Sequence, residues 1–148
     1  MTGNTAEATQ ATQETKPLVS PHALDHVNLH VRDVRRSLAF YEGVLGLTDH
    51  TVLGQDRDGT PAFVELRVGD QLVFLMHRAD YEPPADRHAR GLNHFCLLID
   101  PTDPDELQAS LRARGVKITG TRGKPDGPNF SVYIEDPDGH GIELEQRR

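Results

Sequence analysis

The strongest constraint in this chain is a repeat of structural signals in one order. Leu24-Asp25-His26 opens a first run of strand, helix and strand patterns, and Leu92-Asn93-His94 opens a second. Leu24 to Val31 alternates apolar and polar residues, as a half-buried strand does. Asp33 is placed to cap a helix through Val34, Leu38, Phe40, Tyr41 and Leu45 that stops at Gly46. Three strand-like runs follow near 47–54, 61–69 and 71–77, turned at Asp58-Gly59 and Gly69-Asp70. A polar stretch with prolines, Arg78 to Arg90, separates the halves. Gly91 to Ile99 then reads as a strand. Asp103, Pro104 and Glu106 begin a helix in capping-box fashion, and it carries Leu107 and Leu111 to Gly115. Strands near 116–120, 130–135 and 141–146 complete the second half. The expectation is an α+β domain over 22–148, built from two βαβββ modules at about 23–78 and 91–146.

The first 21 residues, rich in Thr, Ala, Gln and Glu, show no hydrophobic period and predict a disordered tail. They lack the basic start and apolar run of a secretory signal, and they have too few basic residues for a transit peptide. No stretch approaches 18 apolar residues, so no membrane span is expected. A formal charge of −7 argues against a nucleic-acid partner. The single cysteine, Cys96, excludes a disulfide framework and a Cys-rich metal cage, and favours the cytoplasm. Eight histidines stand out in an otherwise ordinary composition.

Strand alternation sorts those histidines by face. Val27, Leu29 and Val31 share one face of the first strand, and His26, Asn28 and His30 the other. Phe95, Leu97 and Ile99 oppose His94 and Cys96. Val132 and Ile134 oppose Ser131 and Tyr133, while Ile142 and Leu144 oppose Glu143 and Glu145. The aliphatic faces are suited to the two helices. The polar faces either meet water as an outer sheet surface or converge into a concave site. In the second case two imidazoles and a carboxylate suit Fe(II), Mn(II), Ni(II) or Zn(II) with positions left open.

Three segments, LDHVNLHVRDVRRSLAFYEGVLGL, GLNHFCLLID and FSVYIEDPDGHGIELE, resemble the vicinal oxygen chelate superfamily. That superfamily includes glyoxalase I, extradiol dioxygenases, fosfomycin-modifying enzymes, methylmalonyl-CoA epimerase and bleomycin-binding proteins. The resemblance runs from about Ala23 to Gln146. It implies paired βαβββ modules forming a U-shaped metal cleft, usually completed in a homodimer. It places metal ligands on His26, His94 and Glu143, and a further ligand of glyoxalase and epimerase members near Phe74, which cannot ligate. Glu65 or His77 would substitute under another register, although His77 points opposite Phe74. Tyr133, ten residues before Glu143, falls where dioxygenases and fosfomycin thiol transferases carry an active-site Tyr, which suits a proton donor. Asn28, His30, Phe74, Cys96 and Ser131 are candidate substrate contacts.

The resemblance thus implies a metal-dependent enzyme, with Fe(II) favoured, acting on a small substrate with vicinal oxygens. Ring-cleaving dioxygenase-like oxidoreductase chemistry leads. Glyoxalase lyase or epimerase chemistry follows, then fosfomycin-type thiol transfer. Two features count against direct transfer. The basic segment of the fosfomycin group past its Glu ligand shrinks here to Arg147 and Arg148. The dioxygenase His near the fourth strand is replaced by Gln71. A metal-free drug-binding protein of the bleomycin-resistance kind is the rival class. Among smaller features, Asp136-Pro137-Asp138-Gly139 reads as a turn without chemistry. His22, His50, His88 and His140 read as surface residues, and Cys96 as a small buried residue rather than a nucleophile. Arg122 to Pro128 reads as a flexible, basic-tipped loop, either plain or able to close over an anionic substrate.

Overall fold

Residues 18–147 are described by a computed structural model, so the expected tail over 1–17 lies outside the described residues. Residues 18–25 form neither helix nor strand, and Leu18, Val19 and Leu24 are exposed.

Each half folds as strand, helix and three strands. The first holds β1 (His26–Val31), α1 (Val34–Gly43), β2 (His50–Gln55), β3 (Pro61–Val68) and β4 (Gln71–His77). The second holds β5 (Phe95–Ile99), α2 (Pro104–Ala113), β6 (Lys117–Gly123), β7 (Asn129–Glu135) and β8 (Gly141–Arg147). The sheets run β1-β4-β3-β2 and β5-β8-β7-β6, with the outer pairs β1/β4 and β5/β8 parallel and the rest antiparallel. The duplication extends to irregularities, since the β2/β3 and β6/β7 pairings each shift register at a bulge.

Local chemistry explains the boundaries. The Asp33 carboxylate accepts from Arg36 N at 3.1 Å to start α1, and Asp103 accepts from Asp105 N and Glu106 N to start α2. α1 ends at Gly43 rather than Gly46, because the chain leaves through a turn in which Gly46 N donates to Glu42 O and Gly46 takes φ +72°. Both opening strands start later than alternation suggests, at His26 and Phe95. The exposed Leu24 and Leu92 lie before the ladders begin.

The core is the set of aliphatic faces foreseen from alternation. Leu29, Val31, Val64, Leu66, Val73 and Leu75 pack under Val34 and Tyr41 of α1. Val132, Ile134, Ile142 and Leu144 pack with Leu111 and Val116 in the second half.

The Asp136–His140 turn does more than reverse the chain. The side chain of Asp138 is fully buried and accepts from Arg32 Nε at 2.8 Å, Arg36 Nη2 at 3.0 Å and Ser37 Oγ at 3.4 Å. Asp136 accepts from Tyr41 Oη at 2.9 Å and from the backbone of Asp138 and His140. All of Arg32, Arg36, Ser37 and Tyr41 belong to the first module, so the turn fastens the modules together. His140 is therefore half-buried, not a free surface residue. Its Nε2 donates to His30 O at 2.8 Å and its ring stacks on Tyr81 at 5.4 Å. His50 also has a partner, Glu42, at 2.5 Å, whereas His22 and His88 are exposed as expected.

Candidate metal centre

Two of the three expected ligands meet on the second sheet. His94 stands just before β5, and its Nε2 lies 3.0 Å from Glu143 Oε2 on β8. Gly141 permits this approach. A Cβ there would lie 2.4 Å from Asn93 O and 3.2 Å from His94 Cβ.

The other oxygen of Glu143 is held by protein donors. Oε1 accepts from Arg122 Nη2 at 2.8 Å and Tyr133 Oη at 3.1 Å, while Arg122 also donates to Ser131 Oγ and Tyr133 Oη. The His94 and Tyr133 rings meet edge to face at 5.4 Å. Burial works to raise the Glu143 pKa, but hydrogen bonds from Arg122, Ser131 and Tyr133, with the Arg122 charge, hold it at about 2. A carboxylate lowered in the folded state stabilises the fold above its ordinary pKa of 4.5 and loses that contribution as pH falls toward 2. The urea midpoint of metal-free protein should therefore drop across that window, and Glu143→Gln should flatten the drop.

His26 lies on the first sheet, and among the described residues no three His, Cys, Asp or Glu side chains converge as a metal set. Its setting nevertheless repeats that of His94. His26 Nδ1 donates to Asp25 Oδ2 at 2.7 Å, and His94 Nδ1 donates to Asn93 Oδ1 at 2.8 Å. In both repeats the residue before the histidine accepts a hydrogen bond from Nδ1, which leaves the Nε2 of His26 without a partner among the described residues and turns that of His94 to Glu143. His26 and His94 also line one cavity of about 470 Å³ with Asp25, Gln71 and apolar neighbours.

Phe74 touches His26, with ring centroids 4.5 Å apart. Glu65 pairs across from Phe74 and is bonded by Arg67, while His77 is held by Asp56 at 2.7 Å. Ser131 is buried beneath Arg122. Asn28 and His30 line a smaller cavity of about 240 Å³ with Tyr81, Arg90 and His140. Cys96 is exposed rather than buried, at the border of the cavity that His26 and His94 line, with its Sγ 3.7 Å from Glu145 Oε2. Desolvation and the charges of Glu143 and Glu145 push its thiol up to about 11, so it is no ready nucleophile.

Sequence reasoning marks Arg122 only as part of a basic-tipped loop and misses its bond to Glu143. The residue lies in β6 opposite Ser131, not in a loop. Strict alternation from Ile118 would turn it toward the core, but the bulge between Ile118 and Gly120 reverses the phase and turns it onto Glu143. Gly123, at φ +85°, then starts the hairpin where a Cβ would meet Asn129 O at 2.3 Å.

A model of the glyoxalase/bleomycin resistance protein/dioxygenase superfamily matches residues 23–144. The glutathione transferase FosA of Serratia marcescens is 33% identical over 124 residues, covering 82% of this chain and 79% of that one. Virulence protein STM3117 of Salmonella typhimurium is 32% identical over 127 residues, with 83% of each covered. The solved lactoylglutathione lyase of Agrobacterium tumefaciens superposes with a TM-score of 0.61 at 28% identity, over 86% of this chain and 95% of that one. With the paired βαβββ modules and this match over most of its length, the chain belongs to the glyoxalase/bleomycin resistance protein/dioxygenase superfamily.

Proposed function

We propose that two copies of the chain build a divalent-metal site, with His26 from one copy and His94 and Glu143 from the other. The site would act on a small substrate offering two neighbouring oxygens, one of them anionic. The observation that carries this reading is the His94–Glu143 pair at 3.0 Å, with His26 held at Nδ1 by Asp25 and its Nε2 without a partner among the described residues. Two imidazoles and a carboxylate fit Fe(II), Mn(II), Ni(II) or Zn(II), and one chain supplies only two of them side by side.

A divalent cation bound there supplies Lewis acidity toward the substrate oxygens. The chain's own residues do the rest. Arg122 holds Glu143 by one oxygen, leaving the other toward His94, and presents a cation beside the reacting oxygens. Tyr133 Oη stands between Arg122 and Glu143, where it can give its proton to a developing oxyanion or take one back. Ser131 orients Arg122 from below.

This cationic setting favours lyase or transferase chemistry on a chelated oxyanion, in keeping with a glutathione transferase and a lactoylglutathione lyase among the relatives. Ring-cleaving dioxygenase chemistry, which would favour Fe(II), is the second reading. It draws on Phe74, which offers no ligand where a fourth would stand and so leaves that side open.

Elemental analysis of protein purified without chelator, with a thermal shift on adding each of the four metals, tests the reading. Retained metal or a shift supports it, and neither would favour the metal-free binding alternative. Asp25→Ala should weaken metal binding about 10- to 100-fold by freeing the His26 ring, as competition with a fluorescent chelator would show.

A further inference from the structure

The β4 segment Gln71–His77, reading QLVFLMH, is apolar on both faces. Val73 and Leu75 are buried in the core, so Leu72, Phe74 and Met76 take the opposite face, where they are only half-buried. Phe63 of β3 pairs with Met76, and its ring meets Phe74 edge to face at 5.0 Å. The result is a row of rings, Phe63, Phe74 and His26, on a face where alternation otherwise places Asn28, His30 and Glu65.

Nothing in core packing asks for these rings, since the core lies on the other side of the sheet. We infer that Phe63 and Phe74 form an aromatic wall that receives a flat apolar body of the substrate and so determine specificity. The inference rests on the metal reading above. His26 donates a hydrogen bond from Nδ1 to Asp25, so its Nε2 is the atom left for a metal, and the Phe74 ring is 4.5 Å from that imidazole, centroid to centroid. Whatever fills the open positions beside His26 therefore lies against Phe74. The facing groups differ in kind, because Arg122, Tyr133 and Ser131 surround Glu143. One wall is aromatic and the other polar and cationic. The substrate class that matches both is a planar, aromatic or conjugated molecule carrying two adjacent oxygens, at least one ionised. Phe63 and Phe74 touch no proton in the reaction; they select and orient.

Two chelators with the same bidentate head separate the wall from the metal. Acetohydroxamate and benzohydroxamate are titrated into Zn(II)-loaded protein by calorimetry. The wall predicts benzohydroxamate tighter by about tenfold. Phe74→Leu should cut that ratio to about twofold while leaving acetohydroxamate affinity unchanged, which also shows the variant folded and metal-loaded. Phe63→Leu should cut it less. Equal affinities in the wild type, or a ratio preserved in both variants, would overturn the wall while the metal site stands. Binding of neither hydroxamate would overturn the metal reading and the wall with it.

Discussion

Asp138→Ala should destabilise the protein by about 2–4 kcal/mol, read as a lowered urea midpoint. Asp138 is fully buried and gathers Arg32, Arg36 and Ser37 from the other module around one carboxylate. Removing it leaves two guanidiniums that are each nearly half exposed and can rehydrate, which keeps the loss below that of stranding a buried charge. The lost charge-assisted bonds and the cavity remain uncompensated. Because the contact joins the modules, the variant should also lose cooperativity, with the two halves unfolding at separate midpoints. A loss under about 0.5 kcal/mol, with one sharp transition, would contradict the fastening role.

That role was invisible in the sequence for a physical reason. Asp-Pro-Asp-Gly satisfies the conformational demands of a turn whether it faces water or another module. Only the approach of Arg32 and Arg36 across the fold distinguishes the cases. The core, by contrast, was legible, because alternation in β1, β5, β7 and β8 assigns each residue a face without reference to partners. The same rule put His26, His94, Glu143 and Tyr133 on the polar faces. It failed at Arg122, where one extra residue in β6 reverses the phase, and a bulge leaves no sequence period of its own. Cys96 and His140 were misjudged as buried and exposed respectively, since burial on those faces depends on the other module.

His94→Ala should abolish metal uptake at micromolar metal, the largest functional effect expected of any single change. Its Nε2 is the atom paired with Glu143 Oε2, and no other described imidazole faces that carboxylate within ion-pair distance. Tyr133→Phe should behave differently. The ring still packs against His94 and Arg122 still holds Glu143, so the metal should stay bound. Only the hydroxyl proton is gone, and turnover of a chelating substrate should fall about a hundredfold. Metal loss in the Tyr133 variant would refute this division of labour, as would full turnover without the hydroxyl.

Sharing of each metal between two copies is open to a test with mixed dimers. Differently tagged His26→Ala and His94→Ala chains are coexpressed, and the mixed dimer is isolated through both tags for metal analysis. One of its two shared sites carries both substitutions, while the other combines an intact His26 with an intact His94 and Glu143. The mixed dimer should therefore bind a single metal ion with wild-type affinity, although neither variant binds metal as a homodimer. A mixed dimer that binds none would mean that each site is built within one chain.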